Sequence, residues 1–358
     1  MKPIRVVFNE SMQKVTNPYT RLLSAGLAKV GVEVTDIPPT SFFLPKLLRQ
    51  GLPDIFHIQL LDPCIVRRGS IVKTLVKTNS FLFQLLLLRL AGTKIVWTAH
   101  DLKNHENTFL KIDRWATRQL TRLASAVITH CNFARRAVIE AMNIQRPEKV
   151  VVTMHPSYVG HYPNTVTSQA ARATLGIPEN KLVFVFFGNI RPYKGVLNLI
   201  KVFKELDVAD AQLVIAGPPL NEQASADVQR AIDQDSRVLF RPGYVDEKDV
   251  QIYLNAGDVI VFPYRDILTS GAVLLAASFG KACVAVRRAC IAEVLDDEGT
   301  CFYDFEDDNG LEHAMQSSVT RRGGLAEMGR HNFNKVVSLT WDKMAAETRS
   351  LYDHILSK

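Results

Sequence analysis

The 358-residue sequence has no Cys-x-x-Cys pair, no Gly-x-Gly-x-x-Gly run and no acidic residue between Pro63 and His100. Each absence removes a class of protein. Five cysteines, Cys64, Cys131, Cys283, Cys290 and Cys301, are odd in number and far apart, which excludes a disulfide framework and a structural zinc knuckle and fits a reducing compartment. The loop after the first predicted strand, Asn9 to Pro18, carries no dinucleotide fingerprint, so NAD chemistry is not expected. Met1-Lys2-Pro3 runs straight into the strand-like Ile4 to Phe8, leaving no room for a signal peptide. The most apolar run, Phe81 to Leu90, is interrupted by Gln84 and Arg89 and is about half of the ~20 residues that a membrane span needs. There is no low-complexity segment, no internal repeat and no His-x-x-x-His helix to hold a metal.

What is present is a large apolar fraction, 47%, and an uneven charge. The net charge of +7 divides into 22 basic against 10 acidic residues up to residue 165, and 21 against 26 beyond it. Within the basic half, Arg67, Arg68, Lys73, Lys77, Arg89 and Lys94 surround the leucine-rich run. Leu44, Leu47 and Leu48 with Lys46 and Arg49 form a second apolar and basic stretch. Such surfaces suit attachment to anionic lipid. Nucleic acid, the other polyanion, is not expected, because no recognition motif or interleaved aromatic platform is present. The long leucine-rich segment also reads simply as a helix packed on a sheet.

The chain alternates short apolar strands with amphipathic helices throughout. Strands are expected at Ile4–Phe8, Val32–Ile37, Asp54–Gln59, Lys94–Thr98, Ala126–Thr129 and Val150–Met154, then at Leu182–Phe187, Gln212–Ala216, Arg237–Arg241, Asp258–Phe262, Ala282–Val286 and Thr300–Tyr303. A linker rich in Gly, Pro, Thr and Ser separates the two sets between Val159 and Ser168. The fold class is therefore α/β, with two doubly wound, Rossmann-like parallel-sheet domains at 1–165 and 166–338 and a terminal helix in 339–358 returning to the first.

Three junctions carry chemistry. After the strand Leu182–Phe187, Gly188 ends the run, and Arg191, Lys194 and Gly195 fall in the turn before a helix that starts at Val196. Backbone N–H groups and the helix dipole favour an anion there. After Phe262, the loop Pro263 to Asp266 leads to Thr269, Ser270 and Gly271 at the start of an apolar helix, where hydroxyls serve either as caps or as anion donors. Together the two junctions place cations, hydroxyls and N–H groups at neighbouring strand ends, where a diphosphate fits. In the first half, His100, Asp101, His105 and Glu106 lie within seven residues of one another after the strand ending at Thr98. They are candidate acid, base or positioning groups.

The residues Phe187-Gly-Asn-Ile-Arg-Pro-Tyr-Lys-Gly195, Thr269-Ser-Gly271, Ile291-Ala-Glu-Val-Leu295, Trp97-Thr-Ala-His100 and Leu339-Thr-Trp341 resemble GT-B glycosyltransferases of the family-four type. The resemblance covers the whole chain. It implies two Rossmann-like domains facing a cleft, with a nucleotide sugar held mainly by the second and an acceptor mainly by the first. Carried onto this sequence, it gives Arg191, Lys194, Gly195, Thr269, Ser270, Gly271 and Glu293 as the donor-binding set. It gives His100, with Asp101, His105 and Glu106 beside it, as the catalytic set. Leaving-group charge would be stabilised by these donors with no metal and no cofactor.

The chain departs from the family pattern in three places. No glutamate pair spans Arg265 to Ala277, the residue after the strand glycine is Asn189 instead of a basic one, and the first loop is not glycine-rich. These features resemble a divergent subgroup, bacterial exopolysaccharide mannosyltransferases, and leave retention against inversion open. The expected function is hexose transfer from a nucleotide sugar, GDP-mannose as the donor, to a polyprenyl-diphosphate-linked saccharide or similar glycolipid, by a cytoplasmic enzyme peripheral at the inner face of the membrane. The alternatives are nucleotide-sugar epimerisation on the same fold, or a non-catalytic subunit that binds a partner or lipid.

Overall fold

A computed structural model describes residues 3–10, 17–65, 69–102 and 109–358 of the chain. The chain divides into two compact units, one formed by residues 1–155 and 339–358, the other by Pro156–Ser338.

The first unit contains β1 (Ile4–Phe8), β2 (Val32–Asp36), β3 (Ile55–Ile58), β4 (Lys94–Thr98), β5 (Ala126–Thr129) and β6 (Val150–Val152), in the sheet order β2-β1-β3-β4-β5-β6. Every pairing is parallel. The continuous apolar strands follow from burial on both faces. One face packs Phe43, Phe56, Phe81, Leu85 and Trp97; the other packs Leu23 and Leu27 of the helix Tyr19–Lys29 against Met344 and Tyr352. Tyr352 belongs to the terminal helix Trp341–Leu356, which starts at the cap Thr340 and is held on this unit by the Arg349 guanidinium donating to the Val30 and Gly31 carbonyls.

One helix here is longer than its sequence suggests. The helix Ile71–Leu90 has 20 residues, begins at the cap Ser70 and is long and apolar enough to cross a membrane by length and composition. A count that starts at Phe81 misses its first ten residues, whose Lys73 and Lys77 break the hydropathy but not the helix. Thr74, Thr78, Phe81, Leu82, Gln84, Leu85 and Leu88 face the core, and Gln84 accepts from the Phe43 and Leu44 backbone N–H groups while donating to the Ser41 carbonyl. The remaining large apolar residues, Val72, Val76, Phe83 and Leu90 among them, are exposed.

The second unit contains β7 (Leu182–Phe187), β8 (Ala211–Gly217), β9 (Val238–Pro242), β10 (Val259–Phe262), β11 (Ala282–Val286) and β12 (Thr300–Tyr303), ordered β12-β11-β10-β7-β8-β9. It too is wholly parallel. All twelve strands expected from the sequence are present. The reversal of strand order at β7 and β10 is a topological switch point, the place where open α/β sheets hold ligands at the carboxyl ends of their strands.

Candidate functional site

At the switch point of the second unit, the loops after β7 and β10 touch. Arg265 donates its backbone N–H to the Tyr193 carbonyl at 2.8 Å. Gly195 has a φ of +71°, and a Cβ placed on it would lie 2.0 Å from the Pro263 carbonyl oxygen. Glycine is therefore required by both backbone conformation and space. Residues Pro192–Lys194 form one 3-10 turn, after which the helix Val196–Glu205 begins with no side chain capping its N-terminus.

Two cationic side chains leave this turn. Lys194 Nζ lies 5.4 Å from the ring centroid of Tyr264, and 3.6 Å from where a Cβ on Gly188 would sit. Gly188 itself has a φ of +130°. Arg191 is half-buried, and its Nη1 is enclosed with no hydrogen-bond partner among the described residues. A buried guanidinium N–H without an acceptor is costly, so this atom marks a place where an anion would be stabilised.

The other donor-side residues are placed as follows. Ser270 is the N-cap of the helix Gly271–Ser278, accepting from the Val273 N–H at 3.4 Å, and its hydroxyl donates to Tyr264 Oη at 3.5 Å. Its capping role is thus realised, which limits its hydroxyl as a ligand donor. Thr269 and Gly271 flank it, both half-buried. Glu293 is exposed and falls in the last turn of the helix Ala289–Val294, not at the helix start that a solvated cap would occupy. That helix leaves β11 and is tied to the same edge by the Cys290 N–H donating to the Leu268 carbonyl.

In the first unit, the residues just beyond several strands form a second cluster. A cavity of about 200 Å³ is lined by Gln59, Asp62, Trp97, Thr98, His100 and Asp101, among others. His100 is half-buried, edge-on to Tyr19 at 4.9 Å and 5.3 Å from the His130 ring. Tyr19 Oη meets His130 Nε2 at 3.2 Å, and His130 Nδ1 meets the Thr153 carbonyl at 2.8 Å, so that nitrogen carries the proton. Burial lowers the His130 pKa to about 4 and the His57 pKa to about 3. His155 and Trp341 complete the aromatic ring around Tyr19. His105 and Glu106 lie outside the described residues, as do Arg67 and Arg68.

Sequence reasoning missed Glu10, Gln59, His130 and Tyr19. Glu10 follows β1, is 7% exposed, and has its carboxyl pKa raised to about 7 by burial. The neighbouring Asn9 stitches the edge together: its Oδ1 accepts from Gln59 N–H at 2.6 Å and its Nδ2 donates to the Leu60 carbonyl at 2.6 Å. A usable signal existed. Asn9-Glu10, Gln59, His100, His130 and His155 each follow a strand of one parallel sheet within a few residues, and the carboxyl edge of such a sheet collects them.

Residues 181–321 match the family Glycosyl transferases group 1. A GDP-mannose:glycolipid 4-beta-D-mannosyltransferase of Xanthomonas campestris pv. campestris is 29% identical over 94% of this chain and 90% of its own length. A D-inositol 3-phosphate glycosyltransferase of Corynebacterium efficiens is 23% identical over 80% of this chain and 72% of its own. Among solved structures, Anabaena HepE in complex with UDP superposes with a TM-score of 0.74 at 14% identity, covering 98% of this chain and all of that one. The family expected from the sequence is the one these comparisons return.

Proposed function

We propose that this chain, a glycosyltransferase of the GT-B fold, moves a mannosyl group from GDP-mannose to a saccharide carried on a lipid. The donor and acceptor classes rest on the relative that aligns along nearly the whole chain and is named for both. The comparisons favour transfer over epimerisation or a non-catalytic role. The observation that carries the chemical part is the buried, unpartnered Arg191 Nη1 beside Lys194 at the switch point.

In this reading, Arg191 and Lys194 hold the donor diphosphate, helped by the uncapped start of the helix Val196–Glu205 and by Thr269 and Gly271. Negative charge grows on the nucleoside diphosphate as the glycosidic bond breaks, and donors already fixed in place stabilise that charge more in the transition state than in the ground state. His100 is the first-unit residue that meets the sugar or the acceptor hydroxyl, with Asp101 beside it. The lipid-borne acceptor is reached at a membrane surface through the helix Ile71–Leu90, whose exposed apolar residues Val72, Val76, Phe83 and Leu90 share the helix with Lys73, Lys77 and Arg89. Seven of the 20 residues of this helix belong to the core, which favours lying in the interface over spanning it.

The test is transfer of labelled mannose from GDP-mannose to an extracted glycolipid pool, with thermal-shift screening of nucleoside diphosphates alongside. Arg191→Ala and Lys194→Ala are each expected to lower transfer by about 10²- to 10³-fold. Full transfer by either variant, or no stabilisation of the native chain by any nucleoside diphosphate, would sink the reading.

A further inference from the structure

Behind His100 stands a row of side chains that the transfer reaction does not touch. Tyr352 and His57 are wholly buried, and Thr98 and Gln59 nearly so. Tyr352 Oη meets His57 Nδ1 at 2.6 Å, and His57 Nε2 meets Thr98 Oγ1 at 2.7 Å. Gln59 then stands between the two histidines, its Nε2 3.3 Å from His57 Nε2 and its Oε1 3.4 Å from His100 Nε2. The row runs from the terminal helix through β3 and β4 to the cavity that His100 lines.

Its protons have one self-consistent arrangement. A phenol has a single proton and, away from water, must give it to an acceptor. For Tyr352 that acceptor is His57 Nδ1. Burial keeps His57 neutral, so its own proton sits on Nε2 and is donated to Thr98 Oγ1. The Gln59 amide must then be turned over from that placement, with its carbonyl toward His57, because its NH₂ there would set donor against donor. The NH₂ consequently points at His100 Nε2. That nitrogen has to accept, and a neutral His100 is left with its proton on Nδ1. The reverse assignment, with His57 donating to Tyr352, strands the buried phenol proton and asks one ring nitrogen to accept from both Thr98 and Gln59.

We propose that Tyr352, acting through His57 and Gln59, fixes the His100 ring as its Nδ1–H tautomer, so that His100 meets substrate as a hydrogen-bond donor and not as a proton acceptor. The ligand chemistry that suits it is an oxygen lone pair, as on a sugar hydroxyl or ring ether. The inference rests on the reading of His100 as a substrate-contacting residue. It makes Tyr352, His57 and Gln59 positioning residues, and it explains why a neutral histidine is buried at the centre of the sheet with both ring nitrogens engaged.

The experiment is two-bond ¹H–¹⁵N correlation on the ¹⁵N-labelled full chain, paired with transfer kinetics. His100 is expected to show a protonated Nδ1 and an unprotonated Nε2, and in Tyr352→Phe the two tautomers should mix. Asn places its amide nitrogen where Nδ1 stands and Gln places it where Nε2 stands. His100→Asn should therefore keep kcat/KM within about tenfold of the parent while His100→Gln loses about 100-fold or more. Where Tyr352→Phe melts early, Gln59→Met breaks the same row without touching the terminal helix. An unprotonated Nδ1 in the parent, or equal losses in the Asn and Gln variants, overturns the proposal. The spectrum needs no substrate, so a failure of glycosyl transfer itself would be told apart from a failure of the tautomer assignment.

Discussion

Gly195 sits against Pro263 with no space between them: a Cβ at residue 195 would fall 2.0 Å from the Pro263 carbonyl oxygen, at a φ of +71°. The contact joins the turn that bears Arg191 and Lys194 to the loop that leads to Thr269. Gly195→Ala is expected to cost about 2–3 kcal/mol in urea unfolding, from backbone strain and displacement of the loop, and to weaken nucleoside diphosphate binding. Gly323, with nothing within 4 Å of its would-be Cβ, is the control; Gly323→Ala should stay within about 0.5 kcal/mol of the parent.

Arg191 should separate stability from activity. Its enclosed Nη1 has no acceptor among the described residues, so the ligand-free protein carries the desolvation cost of that N–H, about 1–3 kcal/mol. Arg191→Met should leave the ligand-free melting temperature unchanged or higher while abolishing the shift produced by a nucleoside diphosphate. A lower ligand-free melting temperature would count against an anion site here.

The two sides of the helix Ile71–Leu90 should respond differently to mutation. Leu85 is wholly buried, and Leu85→Ala should destabilise by about 2–5 kcal/mol. Val76 is 65% exposed and Leu90 75% exposed. The double variant Val76→Asp, Leu90→Asp should fold normally yet no longer co-sediment with anionic vesicles, and its transfer to a lipid-borne acceptor should drop more than its turnover of a soluble acceptor analogue.

Acid should destabilise the first unit through its histidines. The folded-state pKa values of His57 and His130 are depressed to about 3 and about 4 from 6.5, so the folded form resists protonation while the unfolded form accepts it. The stability they confer is complete above pH 6.5 and is lost as pH falls toward 4 and then 3, by at least about 1 kcal/mol per group. Unfolding followed by the fluorescence of Trp97, Trp115 and Trp341, all in the first unit, between pH 7 and pH 4 checks the slope, which should flatten in a His130→Gln variant.

Glu10 contributes with the opposite sign. Its pKa is raised from 4.5 to about 7 by burial, so the folded state holds a proton that the unfolded state has released. The resulting stability is full below pH 4.5 and disappears as pH rises through 7, a loss of about 3 kcal/mol at most. Glu10→Gln should remove this dependence and be more stable than the parent at pH 8; a parent-like pH slope in that variant would show the carboxyl ionised when folded.

The sequence by itself determined the twelve strands, their division into two sheets and the two junctions of the second unit. The reason is local: a strand buried on both faces must be apolar throughout, a helix must present its apolar side every three to four residues, and the glycines and hydroxyls mark where one gives way to the other. It determined the Arg191 turn for the same reason, since Gly188, Lys194 and Gly195 are contiguous.

Tertiary structure alone decided what lies side by side. Glu10, Gln59, His130, Tyr19 and Tyr352 are each unremarkable in the chain, up to 342 residues apart. They come to one region because parallel strands bring their carboxyl ends to one edge and the terminal helix packs on the first sheet. Likewise, the helix Ile71–Leu90 reads as a short apolar run with scattered lysines until packing assigns one side to the core and leaves the other exposed. Protonation follows the same rule: whether His57 and Glu10 are charged depends on the burial that only the assembled sheet supplies.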